Sequence, residues 1–184
     1  MFLLRMLMKK GRGGAMDPLH VSMTGVRMGE SFLLVGCDDK ALLAGLAAKV
    51  GLSGTAAVAA FNDEQAKRAQ GIGAKVGALI DVQKVHDRPD WEEFTADQFD
   101  MVVIDDTADG FAGLGETARR SSLRNALRVV RPGGRIEVIA RVQSEAAAYD
   151  PLNELSAAGF KPVRLLADRD RFRFIEGLRP SGSR

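Results

Sequence analysis

From Gly29 onward, short apolar runs alternate with stretches of helical spacing. "SFLLVG" (31–36) is apolar nearly throughout and ends on glycine, which predicts a buried strand. In "ALLAGLAAKV" (41–50), Leu42, Leu43, Leu46 and Val50 fall on one helical face, and "GLSG" (51–54) stops that helix. "TAAVAAF" (55–61) predicts a second strand and "NDEQAKRAQGIG" (62–73) a helix, with Asn62 as cap and Asp63 and Glu64 in its first turn. "KVGALID" (75–81) follows as a third strand, then a loop with one helical turn over 82–98. "FDMVVIDD" (99–106) is a fourth strand, apolar until two carboxylates end it. A helix over 114–130 buries Leu123, Leu127 and Val130, "RPGG" (131–134) turns the chain, and "RIEVIARV" (135–142) is the fifth strand. "DPLNELSAAGF" (150–160) is a helix with Pro151 in its first turn and Gly159 at its end. The last strands, 162–168 and 171–178, are joined by Arg169 and Asp170 alone, and so short a link demands an antiparallel hairpin.

Continuous apolar strands separated by helices predict a parallel sheet covered on both faces, here closed at one edge by the hairpin. The expected fold is a three-layer, doubly wound α/β domain over residues 29–178, with a flexible or helical segment before it (1–28) and a disordered tail after it (179–184). A chain of 184 residues buries enough surface to need no metal or disulfide staple. A net charge of +2 gives no pull toward nucleic acid. One cysteine and two histidines exclude an internal disulfide and a His/Cys metal cluster, which fits a reducing, cytoplasmic setting. No run of 18 apolar residues is present. "MFLLRMLMKK" (1–10) mixes apolar residues with Arg5, Lys9 and Lys10, which suits weak contact with a membrane surface; the alternative is a frayed terminus, or a start set ahead of Met16.

Four stretches together carry a family resemblance: "FLLVGCDDKALLAGLAAKVG", "FDMVVIDD", "LRVVRPGGRIEVI" and "AAGFKPVRLLADRDRFRFIEG". The chain resembles the class I, Rossmann-like S-adenosylmethionine-dependent methyltransferases, and within them the small-molecule branch that includes quinone-biosynthesis C-methyltransferases. The resemblance implies seven strands in the order 3-2-1-4-5-7-6 with the seventh antiparallel, S-adenosylmethionine as cofactor and a small organic molecule as substrate. In such sheets the ligand lies at the carboxyl ends of the strands where strand order reverses, here between the first and fourth. The expected lining is Gly36 to Lys40, Ala60 and Phe61, Asp81 and Val82, and Ile104 to Asp106. Cofactor contacts fall to Gly36, Cys37, Asp38, Phe61, Asp81, Val82 and Asp105, with Phe61 on the adenine face and Asp81 toward the adenine amino group or simply capping a loop.

The loop departs from the family pattern. Asp38 and Lys40 stand where the family has its second and third glycines, and Leu34 where it has an acid for the cofactor's ammonium end. Ala60 replaces the acid that accepts from the ribose hydroxyls, and Asp63 would have to reach back from the helix. Two lost charge-assisted hydrogen bonds at roughly 1.5–3 kcal/mol each amount to about 100-fold or more in affinity. Asp38 can compensate for Leu34 by offering its own carboxylate to the ammonium group. No catalytic residue is fixed by the sequence. Asp105 is the candidate, as a base or orienting group, against the reading that Asp105 and Asp106 cap the following turn. A magnesium site of the catechol type lacks its further Asp-Asn pair, so no metal is expected. His20 and His86 are isolated, as a base or as surface histidines; Cys37 packs as a small hydrophobe or acts as a thiol; Trp91 and Phe94 anchor a loop or line an apolar pocket. Two functions follow: methyl transfer to a small molecule, or a catalytically inactive scaffold that binds a protein partner. Neither the Asn/Asp-Pro-Pro-aromatic motif of DNA amino-methyltransferases nor Gly-x-Gly-x-x-Gly is present.

Overall fold

The computed structural model describes residues 18–85, 90–142 and 149–182. The apolar runs become seven strands: β1 (Ser31–Val35), β2 (Thr55–Ala60), β3 (Ile80–Lys84), β4 (Phe99–Asp106), β5 (Val130–Arg141), β6 (Val163–Arg169) and β7 (Phe172–Leu178). They form one sheet in the order β3-β2-β1-β4-β5-β7-β6, parallel except that β7 runs antiparallel to both β5 and β6. This is the expected doubly wound order, with its reversal between β1 and β4.

Both faces of the central strands are apolar because both are covered. Leu33 and Val35 of β1 join one core with Val102 and Ile104 of β4, under α4 (Glu116–Val129) and α5 (Pro151–Ala158). Phe32 and Leu34 join the other with Met101 and Val103, under α2 (Lys40–Val50) and α3 (Asp63–Val76). A short helix, α1 (Pro18–Met23), packs on α2. Within 18–28, His20, Thr24 and Val26 are buried and add to the body of the domain. At the other end Arg179 is tied in, its N–H donating to the Gly134 carbonyl and its side chain pairing with Asp97.

Local chemistry explains where the elements begin and end. Asp39 caps α2, Asn62 caps α3, and Asp150 caps α5 with Pro151 in its first turn. The helix expected to end at Gly73 continues to Val76, because Gly77, at φ 67°, is the residue that adopts the left-handed cap. The third strand therefore spans Ile80–Lys84 rather than 75–81. β5 begins at Val130, earlier than expected, with a register shift against β4 between Phe99 and Met101. Gly134 is required there, since a Cβ would stand 2.8 Å from the Arg131 carbonyl oxygen and 2.9 Å from that of Asp100. The hairpin turn is Asp170-Arg171, one residue later than expected, and both have positive φ (53° and 72°), as a two-residue turn with the twist of its strands requires.

Candidate functional site

The carboxyl ends of β1 and β4 meet at the reversal point, and the loop leaving β1 is built against β4. Gly36 turns the chain at φ 80°, and its N–H donates to the Ala59 carbonyl. A Cβ at Gly36 would lie 3.1 Å from the Asp105 carbonyl oxygen, so the first loop glycine is held by contact as well as by conformation. Cys37 is fully buried. Burial first, then the neighbouring Asp105, pushes its thiol up to about 12, so Cys37 packs as a hydrophobe rather than acting as a thiolate.

Asp105 is committed to architecture. Its Oδ2 accepts from the backbone N–H groups of Asp38 (2.8 Å) and Asp39 (2.7 Å). Its Oδ1 accepts from the Thr107 hydroxyl (2.7 Å) and N–H (3.3 Å). These four donors match the roughly four acceptor sites of a carboxylate. Burial still pushes its pKa up, against the bonds from Thr107 and Asp39. The N–H groups that open toward α2 are thereby filled from within the protein.

Asp106 points to the opposite face. Its Oδ1 accepts from the N–H groups of Phe111 and Ala112, both at 2.9 Å, and so ties down the loop after β4. Its Oδ2 has no hydrogen-bond partner among the described residues. Burial, opposed by those two N–H groups and aided by Asp109 and Asp105, pushes it up to about 6. The Tyr149 hydroxyl, itself raised by burial, feels the Asp106 charge; its ring lies 5.9 Å from Phe111 and under the Arg119 guanidinium at 5.1 Å.

Asp38 spans the crevice. Its Oδ1 accepts from Gln65 Nε2 at 3.0 Å, and a Cβ added to Gly110 would stand 2.5 Å from its Oδ2. The carboxylate thus bridges α3, on the β2 side, to the loop after β4. Phe61 closes on the same line, with its ring 6.2 Å from Phe111. Gln65 holds both walls: its Oε1 also accepts from the Phe61 N–H at 2.9 Å. Arg68 reinforces the loop by donating to the Cys37 carbonyl at 2.6 Å.

The structure thus brings Gly36, Cys37, Asp38, Phe61 and Asp105 together, but not Asp81 and Val82. With β3 displaced toward the C-terminus, Asp81 pairs beside Ala57, and the strand end opposite Ala60 is Lys84. Asp81 is exposed and accepts from Gln83, while Val82 packs against the core under α3. Asp63 does not reach back toward Ala60 either, because Lys84 draws it away at 2.9 Å. Lys40 is exposed at the start of α2. His20, far from being a surface residue, is buried beside Phe172 and Phe174, with Nδ1 3.2 Å from Asp39 Oδ2. Burial raises the Asp39 carboxyl, but hydrogen bonds from His20, Ala41 and Leu42 outweigh it and hold the pKa below the ordinary value. Trp91 and Phe94 are core anchors whose carbonyls accept from Arg128. His86 and residues 1–10 lie outside the described residues. Gln65, Thr107, Gly110 and Phe111 join the site although the sequence does not announce them. Only Gln65 carries a signal, the Asn62-x-x-Gln65 spacing of a capping box.

Among the described residues no group of three or more His, Cys, Asp or Glu could hold a metal ion, and no helix is long and apolar enough to cross a membrane. The sequence model of the ubiE/COQ5 methyltransferase family matches residues 17–177. A ubiquinone/menaquinone biosynthesis C-methyltransferase of Cronobacter sakazakii is 27% identical over 134 residues, which is 73% of this chain and 50% of that protein. The chain spans about half the length of this curated relative. A SAM-dependent methyltransferase from Aquifex aeolicus superposes with a TM-score of 0.68 at 20% identity, covering 89% of each chain. An O-methyltransferase family protein from Burkholderia thailandensis gives 0.69 at 13% identity, over 90% of this chain and 56% of that one. These likenesses establish the shared fold.

Proposed function

The chain belongs to the ubiE/COQ5 methyltransferase family, and from that premise we propose that it transfers a methyl group from S-adenosylmethionine to a small organic molecule. The observation that carries this reading is the position of the crevice. Gly36, Asp38 and Phe61 converge at the β1–β4 reversal, where a sheet of this order binds its ligand. S-adenosylmethionine, when bound, supplies an electrophilic methyl group on a sulfonium sulfur.

The residues present fit that group in part. Phe61 offers a ring edge beside Gly36 for adenine, and Asp38 carries a buried oxygen that receives no hydrogen bond among the described residues, while Gly36 itself is closed in by the Asp105 carbonyl. What they lack is a ribose acceptor at Ala60 and free N–H groups at Asp38 and Asp39, since Asp105 takes those two. Entry requires the Asp38 carboxylate to leave Gly110. Asp105 keeps the loop in shape throughout. Asp106, with one uncommitted oxygen and a pKa pushed up to about 6, is the better placed of the two carboxylates to hold a proton at Oδ2. Catalysis on such a site is chiefly alignment of methyl and acceptor, which asks little of individual side chains.

A second reading is favoured by the Asp38 bridge itself: a family member whose crevice is closed and which serves as a binding scaffold for a protein partner. Contact with a membrane surface through residues 1–10 and a cytoplasmic location belong with either reading. Isothermal titration of the purified protein with S-adenosylmethionine separates the two. Binding in the micromolar range supports the enzyme, and no heat at millimolar ligand supports the scaffold.

A further inference from the structure

We propose that Asp38 determines which form of the cofactor the crevice prefers: it acts as a charge filter that favours the cationic sulfonium over the neutral thioether left after methyl transfer. This rests on the methyltransferase reading and deepens it.

Three features of the loop lead there. Asp38 is oriented, because Gln65 Nε2 holds Oδ1 at 3.0 Å while Oδ2 faces Gly110 and receives no hydrogen bond among the described residues. Its charge is poorly balanced. Arg68 Nη1 stands 3.7 Å from Oδ1, with its guanidinium already donating to the Cys37 carbonyl and to Glu64, each at 2.6 Å. The loop also has reversed polarity. The N–H groups of Asp38 and Asp39, which at a helix start would meet a ligand's negative group, are occupied by Asp105. The crevice therefore presents an acceptor where a glycine loop presents donors.

A ligand passing between β1 and the loop after β4 must displace the carboxylate from Gly110 and break its bond to Gln65. A cation close to Oδ2 restores what is lost; a neutral group does not. S-adenosylmethionine and S-adenosylhomocysteine share adenosine and the amino-acid tail, and differ by one methyl group and one positive charge. The change in their affinity ratio on replacing Asp38 therefore isolates its response to the sulfonium charge, the ammonium group being common to both. Once the methyl group has left, that attraction lapses, and the return of Asp38 to Gln65 and Gly110 helps to expel the product. A partly screened unit-charge attraction at a few ångströms corresponds to about a tenfold preference.

The test is a pair of calorimetric titrations, with S-adenosylmethionine and with S-adenosylhomocysteine, on the unaltered protein and on Asp38→Asn, which keeps the side-chain size. The expected result is about a tenfold preference for the sulfonium in the former and a ratio near one in the latter. As a second measurement, the analogue in which a carbon bearing an amino group replaces the sulfonium sulfur, cationic near pH 7, binds the unaltered protein more tightly than the thioether does, which keeps the proposal exposed if the variant does not fold. A ratio that Asp38→Asn leaves unchanged, an amine analogue that binds no tighter than the thioether, or tighter binding of the thioether by the unaltered protein would overturn the filter while leaving the cofactor reading intact. Binding of neither ligand would overturn both.

Discussion

Glu137 offers the sharpest energetic test of the packing. It sits on β5 between Val103 of β4 and Glu176 of β7, fully buried, and neither carboxyl oxygen has a hydrogen-bond partner among the described residues. Burial, with Glu176 adding and Arg135 opposing, pushes its pKa from 4.5 to about 9. Below pH 4.5 the folded and unfolded chains both hold the proton and ionisation costs nothing. As pH rises, the unfolded chain releases that proton while the fold retains it. Stability then falls by about 1.4 kcal/mol per pH unit until the folded group also ionises, which makes about 3 kcal/mol at pH 7. Glu137→Met removes the carboxyl and keeps an unbranched chain of similar volume. Urea denaturation should show the variant more stable at pH 7 by about 3 kcal/mol or more, a midpoint shift of at least about 1–2 M, and the gap should shrink by about 2–3 kcal/mol at pH 5, leaving only the pH-independent gain from removing an unpartnered carboxyl. A gap of equal size at both pH values would show that Glu137 ionises as freely in the fold as outside it, and would sink this reasoning.

Other substitutions probe the site's supports. Asp105→Ala leaves the N–H groups of Asp38 and Asp39 without an acceptor, so their hydrogen exchange should quicken more than tenfold and stability should fall by about 3 kcal/mol; unchanged protection would remove Asp105 from its architectural role. Arg119→Met strands Glu154, which it now meets at 2.9 Å in a mostly buried pair, and should cost about 3 kcal/mol, read as a melting point lowered by about 6–12 °C; a shift below 2 °C would count the pair as a surface one. Gly134→Ala should cost about 1–3 kcal/mol in chemical denaturation because its Cβ meets backbone, whereas Gly71→Ala, inside α3 with open space around it, should gain about 0.5–1 kcal/mol. Equal effects at the two glycines would contradict the tight packing at the start of β5.

The strand order was legible because its signals are physical and local. Runs such as "FDMVVIDD" need cover on both faces, and a two-residue link permits one kind of hairpin. The end of α3 is less legible, because Gly71 and Gly73 resemble stops while the left-handed turn that ends the helix falls at Gly77. The longer helix moves β3 toward the C-terminus and takes Asp81 and Val82 out of the crevice. Proximity of Gly36, Asp38, Phe61 and Asp105 could be read from topology. The roles could not: that Asp105 is saturated by its own loop, and that Asp38 reaches both Gln65 and Gly110, depend on side-chain directions that spacing does not record. The burial of His20 is hidden for the same reason, being supplied by Phe172 and Phe174, more than a hundred residues along the chain.

The central claim is that the β1–β4 crevice receives an adenosyl sulfonium by moving Asp38 aside. A crystal structure of the protein grown with S-adenosylmethionine tests it directly. The expected density crosses the carboxyl ends of β1 and β4, with the Asp38 carboxylate turned from Gly110 toward the sulfur. An Asp38 still bonded to Gln65 and packed on Gly110 at saturating cofactor, with no density in the crevice, would contradict it.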